Sequence, residues 1–186
     1  MTASADSVRI PATLADRAYG AVAPRVFEFI RLAARVLGTP AGDLRCRAGV
    51  LPDVAQPAVW FHGASAGEMA AALRLTTLLR QHGHRFTAAY TATNRAGLDF
   101  VARSAGADAV AALAPWDHPS WVARALDQWR PRALVLVETE LWPRLILEAN
   151  RRRIPVLSAS ARIYPRDLAR YRLIRHLTTP MLRRLT

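Results

Sequence analysis

From residue 57 onward the chain alternates short apolar runs with longer amphipathic segments, and this alternation constrains the fold more than any other feature. AVWFHG (58–63), RFTAAYT (85–91), ADAVAAL (107–113), ALVLVE (133–138) and IPVLSAS (154–160) read as strands. Residues 65–83, 94–106, 117–130 and 141–153 read as helices, and 165–185 as a last helix broken near Pro180. Gly83 and Gly106 stand at helix ends, Asp117 at an N-cap, and Pro119 and Pro143 in first turns, where an N–H has no helical partner to lose. Strands and helices alternating through short turns predict a parallel sheet covered on both faces. With right-handed crossovers this is a doubly wound, Rossmann-like α/β domain. Such sheets take ligands at the carboxyl ends of their strands, so the segments after strands one, two, four and five are where chemistry is expected.

Residues 1–56 read as a preface to that domain, which spans 57–186. In AVAPRVFEFIRLAARVLG (21–38), Ala23, Val26, Phe27, Ile30, Ala33, Ala34 and Leu37 fall on one helical face. Arg25, Glu28, Arg31 and Arg35 fall on the other, and Pro24 fits a first turn. Four charges exclude a membrane span; the apolar face either packs on the protein or lies in a membrane interface. Residues 40–57 read as the loosest part, a connector.

With 186 residues, 52% of them hydrophobic, the chain can bury a core of ordinary size. Its 26 basic residues, all arginine, exceed 14 acidic ones for a net charge of +12, which favours anionic partners such as nucleic acid, acidic lipid or a phosphorylated substrate. No nucleic-acid-binding motif accompanies that charge and the arginines are scattered, so nucleic acid is not an expected partner. Cys46, the single cysteine, excludes an intramolecular disulfide and a cysteine-based zinc site. The polar first 20 residues do not read as a secretory signal.

HGASAGE (62–68) follows strand one, with Gly63 and Gly67 expected to let the backbone turn tightly and the small residues leaving room for a ligand. It is neither a dinucleotide fingerprint nor a lysine-bearing phosphate loop. Glu68 has two readings: a carboxylate favoured at a helix N-terminus by roughly 0.3–1 kcal/mol, or a general base at the ligand crevice. His62 is a rival base or a hydrogen-bonded structural group. ETELWP (138–143) places Glu138 and Glu140 where strand four meets its helix, and two carboxylates so close repel unless one is paired or protonated. TATNRAG (91–97) offers the Thr93 and Asn94 side chains, APWD (114–117) brings Trp116 and Asp117, and SASAR (158–162) brings Arg162 just past strand five. Trp142 reads as packing, and RRR (151–153) as a helix end complementing its dipole.

Taken together and in order, HGASAGE, TATNRAG, APWD, VETELWPRLI, RRRIPVLSASAR and the helix from Tyr171 to Leu185 resemble the 3-deoxy-D-manno-octulosonic acid (Kdo) transferases. The resemblance implies the N-terminal, acceptor-side half of a two-domain GT-B glycosyltransferase. It implies Glu68 as the base that activates a glucosamine hydroxyl of a lipid A precursor for inverting attack on CMP-Kdo, with no cofactor and no required metal. Ser65, Gly67, Thr93, Asn94, Glu138, Glu140 and Arg162 are the implied acceptor-binding residues. The implied location is the cytoplasmic face of the bacterial inner membrane, peripheral or anchored through the N-terminal helix. The sequence departs from the family pattern at Ser160, where asparagine is usual, and at Tyr164, where a small polar residue is usual. The C-terminal donor domain, which would hold CMP-Kdo, is expected to be absent from this chain. The alternative expectation is a noncatalytic membrane- or lipid A-binding module, or a truncated gene product.

Overall fold

The computed structural model describes residues 10–106, 109–163 and 165–186; Tyr164 and the first two residues of the predicted third strand lie outside them. Five strands form one sheet: β1 (Ala58–Gly63), β2 (Thr87–Ala92), β3 (Val110–Leu113), β4 (Ala133–Val137) and β5 (Val156–Ala159). They are parallel throughout, in the order β3-β2-β1-β4-β5. The doubly wound α/β expectation is met. Helices α3 (Ala66–Gln81) and α4 (Arg95–Ser104) cover one face, packing on Phe61, Ala88, Tyr90, Val135 and Val137. Helices α5 (Pro119–Trp129), α6 (Pro143–Arg151) and α8 (Arg175–Arg183) cover the other, around Trp60, Ala89, Leu134, Leu136 and Val156. Adjacent strand residues point to opposite faces, so β1 sends Trp60 into one core and Phe61 into the other. Both are fully buried, as is Trp129, which meets Trp60 edge-on at 5.0 Å. Each such burial contributes roughly 1.5–3 kcal/mol.

Several elements differ from the sequence reading. The stretch read as a loose connector contains α2 (Ala41–Arg47). The first helix, α1 (Leu14–Val36), starts seven residues earlier than residue 21, because Thr13 and Asp16 form a capping box. Pro24 therefore sits mid-helix rather than in a first turn. The final helix does not break at Pro180, which lies inside α8; the break falls at Ile174, between α7 (Pro165–Leu173) and α8. There the Thr178 hydroxyl faces the carbonyl oxygens of Tyr171 (3.3 Å) and Ile174 (3.4 Å), the latter also accepting the Leu177 and Thr178 N–H groups.

The predicted apolar seam of α1 is split. Ala23, Phe27, Ala33 and Ala34 turn toward the protein, whereas Val26, Ile30 and Leu37 face outward. They join Val22, Phe29, Leu32 and Val36, which are 61–80% exposed. The helix is thus apolar on two faces. Its inner face is fixed by Asp16, 2% exposed, whose carboxylate takes two hydrogen bonds from Arg184 at 2.7 and 3.2 Å. Among the described residues no helix is long and apolar enough to cross a membrane.

Candidate active site

The chain leaves β1 for β2 and β3 on one side and returns to β4 and β5 on the other, so the strand order reverses between β1 and β4. In open α/β sheets the loops diverge at such a switch point, and the carboxyl edge there is where a ligand crevice is expected. Three glutamates gather there: Glu68 from the turn after β1, and Glu138 and Glu140 from the turn after β4.

Glu68 lies in the first turn of α3 and folds back over the end of β1. Its Oε2 accepts the Ala64 N–H and its Oε1 accepts the Ser65 hydroxyl at 3.1 Å. Ser65 is the N-cap, taking a long bond of 3.4 Å from the Glu68 N–H. Burial pushes the Glu68 carboxyl above its ordinary value, and the negative charges of Glu140 and Glu138 push the same way against the pull of the Ala64 and Ser65 donors. A stronger base follows. Among the described residues no cation pairs with Glu68 in a salt bridge. The helix end thus holds the carboxylate, and its partial exposure leaves it spare lone pairs.

The expected tight turning of Gly63 and Gly67 is not seen, since neither has a positive φ. Gly63 needs the space of a missing side chain instead. A Cβ at Gly63 would strike Met69 Cε at 2.6 Å, and one at Gly67 would meet only Ser65 Oγ at 3.8 Å, so Gly67 leaves the mouth of the crevice open. Gly97 lets α4 approach the β1 loop, since a Cβ there would lie 3.3 Å from the Ala64 carbonyl oxygen.

Glu140 sits deeper. Burial works to raise its carboxyl, but His62 and Trp142 hold the anion and keep it below its ordinary value. Trp142 Nε1 donates to Glu140 Oε2 at 2.8 Å, and His62 Nε2 lies 3.6 Å from the same oxygen. Trp142 thus packs and holds a carboxylate at once. Thr93 turns a buried hydroxyl to this region without reaching hydrogen-bond geometry. Glu138 closes β4 in a left-handed conformation, φ 62, and Ser160 closes β5 likewise, φ 57; each costs on the order of 1–3 kcal/mol. Asparagine, the residue the resemblance leads one to expect at position 160, adopts this conformation more readily than serine.

The other predicted residues are distributed around the rim. Asn94 caps α4, its Oδ1 accepting the Gly97 N–H at 2.8 Å. Arg162 is exposed, and its backbone is tied to the β4 loop through Thr139. Glu68, Glu138, Glu140, Ser65 and Thr93 thus share the crevice, while Asn94 and Arg162 flank it.

Two supporting residues escape the sequence reading. Arg47 on α2 donates to the carbonyl oxygens of Thr93 and Ala114, joining the loops after β2 and β3, and its guanidinium lies 5.7 Å from the Trp116 ring. The only hint was the mix of Leu44 and Cys46 with three charges in a stretch read as a connector. Asp117 does not cap α5; His118 does, accepting the Ser120 N–H. Asp117 instead accepts the Arg144 and Leu145 N–H groups, both at 2.9 Å, and so caps α6, the helix that carries ETELWP into the site. A cavity of about 650 Å³, lined by Arg80, His84 and Arg85 among others, lies at the opposite end of the sheet and is unrelated to these loops.

A five-stranded parallel sheet covered by helices on both faces places this chain in the class of Rossmann-like α/β domains. Residues 42–186 match the family pattern described as 3-Deoxy-D-manno-octulosonic-acid transferase (kdotransferase), and the chain belongs to that family. It is 34% identical over 129 residues to 3-deoxy-D-manno-octulosonic acid transferase of Bordetella pertussis, covering 68% of this chain and 30% of that protein. To the Haemophilus influenzae protein of the same name it is 33% identical over 122 residues, covering 65% and 29%. To the probable mitochondrial 3-deoxy-D-manno-octulosonic acid transferase of Arabidopsis thaliana it is 29% identical over 113 residues, covering 61% and 25%. The chain spans under a third of the length of these relatives.

Proposed function

We propose that this chain is the acceptor-holding half of an enzyme that transfers Kdo from CMP-Kdo to a lipid A precursor in lipopolysaccharide synthesis. The observation that carries this reading is the Glu68 carboxylate, unpaired by any cation among the described residues, raised in basicity and standing near Glu138 and Glu140 at the switch-point end of the sheet. In the reaction Glu68 takes the proton of an acceptor hydroxyl. The freed oxygen forms the bond to the anomeric carbon of Kdo while the bond from that carbon to CMP breaks, inverting the centre, and CMP leaves with the electron pair. Glu138, Glu140, Ser65 and Thr93 position the acceptor sugar, and Gly67 leaves the room it enters. Asn94 and Arg162 bind it at the rim. The donor is held by a second domain, of the kind the greater length of the relatives accommodates. The test is formation of Kdo-bearing lipid A precursor and release of CMP by the complete enzyme; no transfer above background from CMP-Kdo to the precursor contradicts the reading.

The same reading places the protein at the cytoplasmic face of the bacterial inner membrane, bound through α1. Its outer face carries Val22, Phe29, Leu32 and Val36 beside Arg17, Arg25 and Arg35, the composition of an interfacial helix. Flotation with vesicles containing anionic phospholipid at low salt should carry the chain upward, and the double substitution Phe29→Ser, Leu32→Ser should leave it at the bottom. Flotation unaffected by that change counts against membrane attachment through this face.

A further inference from the structure

The buried polar chain behind the crevice has a direction. Trp60 Nε1 lies 2.7 Å from Thr91 Oγ1, and the same oxygen lies 2.9 Å from His62 Nδ1. An indole N–H only donates, so Thr91 accepts from Trp60 and has one hydroxyl hydrogen left to place. All three groups are satisfied when Thr91 gives that hydrogen to His62 Nδ1. The imidazole is then neutral with its proton on Nε2. That nitrogen is buried, lacks a hydrogen-bond partner among the described residues, and points at Glu140 Oε2 from 3.6 Å. Trp142, edge-on to the His62 ring at 6.1 Å, donates to the same oxygen.

We propose that His62 is a positioning residue of the crevice: Trp60 and Thr91 fix its proton on Nε2, and that N–H keeps the Glu140 carboxylate seated opposite Glu68. The proposal rests on the transferase reading only for its kinetic consequence; the hydrogen placement stands on the geometry alone. His62 is 2% exposed and reaches no solvent base, so it is not itself the group that accepts the acceptor proton. Its role is to keep one carboxylate charged and still while its neighbour does the proton transfer. The ring orders this from behind: β1 supplies Trp60 and His62, β2 supplies Thr91, and the β4 turn supplies Glu140, so the relay ties the three strand ends that frame the crevice.

Two measurements test it. In the wild-type chain, ¹⁵N NMR of the His62 ring at neutral pH should show an unprotonated Nδ1 and a protonated Nε2, and Thr91→Val should release this lock into a tautomer mixture. A wild-type ring protonated at Nδ1 overturns the proposal. In the complete enzyme, His62→Gln keeps an N–H donor where Nε2 stands and should retain transfer within about threefold. His62→Asn lacks that donor and should lower kcat about ten- to a hundredfold with little change in acceptor KM. Equal rates for the two variants, with both folded by their amide spectra, also overturn it. If the wild-type enzyme transfers no Kdo at all, the transferase reading fails while the NMR result still decides the hydrogen placement.

Discussion

Gly63 and Glu68 occupy one corner of the fold: a Cβ on residue 63 would lie 3.0 Å from Glu68 Cβ and 3.1 Å from Glu68 Oε2. The glycine at the end of β1 is what allows the glutamate to fold back over the strand. Gly63→Ala should therefore push the carboxylate out of place and overpack Met69, lowering transfer by about a hundredfold and stability by about 1–3 kcal/mol. Gly67→Ala, two residues into the same helix, meets only Ser65 Oγ at 3.8 Å. It should fold as well as wild type or better, by up to about 1 kcal/mol, and raise acceptor KM instead. Urea unfolding and steady-state kinetics on the pair separate the two effects.

Asp117 gives a pH signature. Its burial pushes the carboxyl up to about 6, against the ordinary 3.8, despite the Arg144, Tyr19 and Leu145 donors that favour the anion. A folded-state value above the unfolded one means the contribution to stability is fully present below about 3.8 and is lost as pH rises through about 6. The difference corresponds to roughly 3 kcal/mol. Asp117→Asn cannot titrate, so its stability relative to wild type should improve by up to about that amount between pH 3.5 and pH 7. Urea midpoints that move in parallel for both proteins over this range would contradict the assignment.

Asp16 and Arg184 join the first described helix to the last, with side chains 1% and 0% exposed. Burial works to raise the Asp16 carboxyl, but Arg184 and Thr13 outweigh it and hold it below the ordinary value. Asp16→Asn leaves a buried arginine without its counter-charge and should destabilise by about 3–5 kcal/mol. The double change Asp16→Leu, Arg184→Met should recover most of the loss. The wild-type contribution is present above the unfolded-state carboxyl range and disappears as pH falls through the lower folded-state one. Denaturant melts of the three variants check both statements.

The sheet was legible because each strand has its own apolar run and each helix its own period, signals carried by near neighbours. The positions of HGASAGE and ETELWP at strand ends followed from the same pattern; the gathering of Glu68, Glu138 and Glu140 came from the strand order, which sets β1 beside β4. What stayed hidden depended on partners far along the chain. Asp117 carries an N-cap signature, but the helix it caps begins 26 residues later, so local reading assigned it to α5. The Thr13 cap is hidden because the apolar period of α1 is strongest after residue 21, and the earlier turns are held through Asp16 by Arg184, 168 residues from that aspartate. Arg47 looked like one more surface arginine, since nothing local marks a guanidinium that will sit between two carbonyl groups. Pro180 was read as a breaker, yet the burial of Met181 against the α6 side keeps α8 together around it.

The most direct test is the rate of Kdo transfer by Glu68→Gln, measured on the complete, folded enzyme with CMP-Kdo and lipid A precursor at saturating concentrations. Glutamine keeps the size of the side chain and an acceptor for the Ala64 N–H, but it cannot take a proton. The expected result is a kcat lower by about 10²–10⁴ with acceptor binding nearly unchanged. A rate within a few-fold of wild type would mean that another group receives the acceptor proton and that residue 68 serves only the end of its helix.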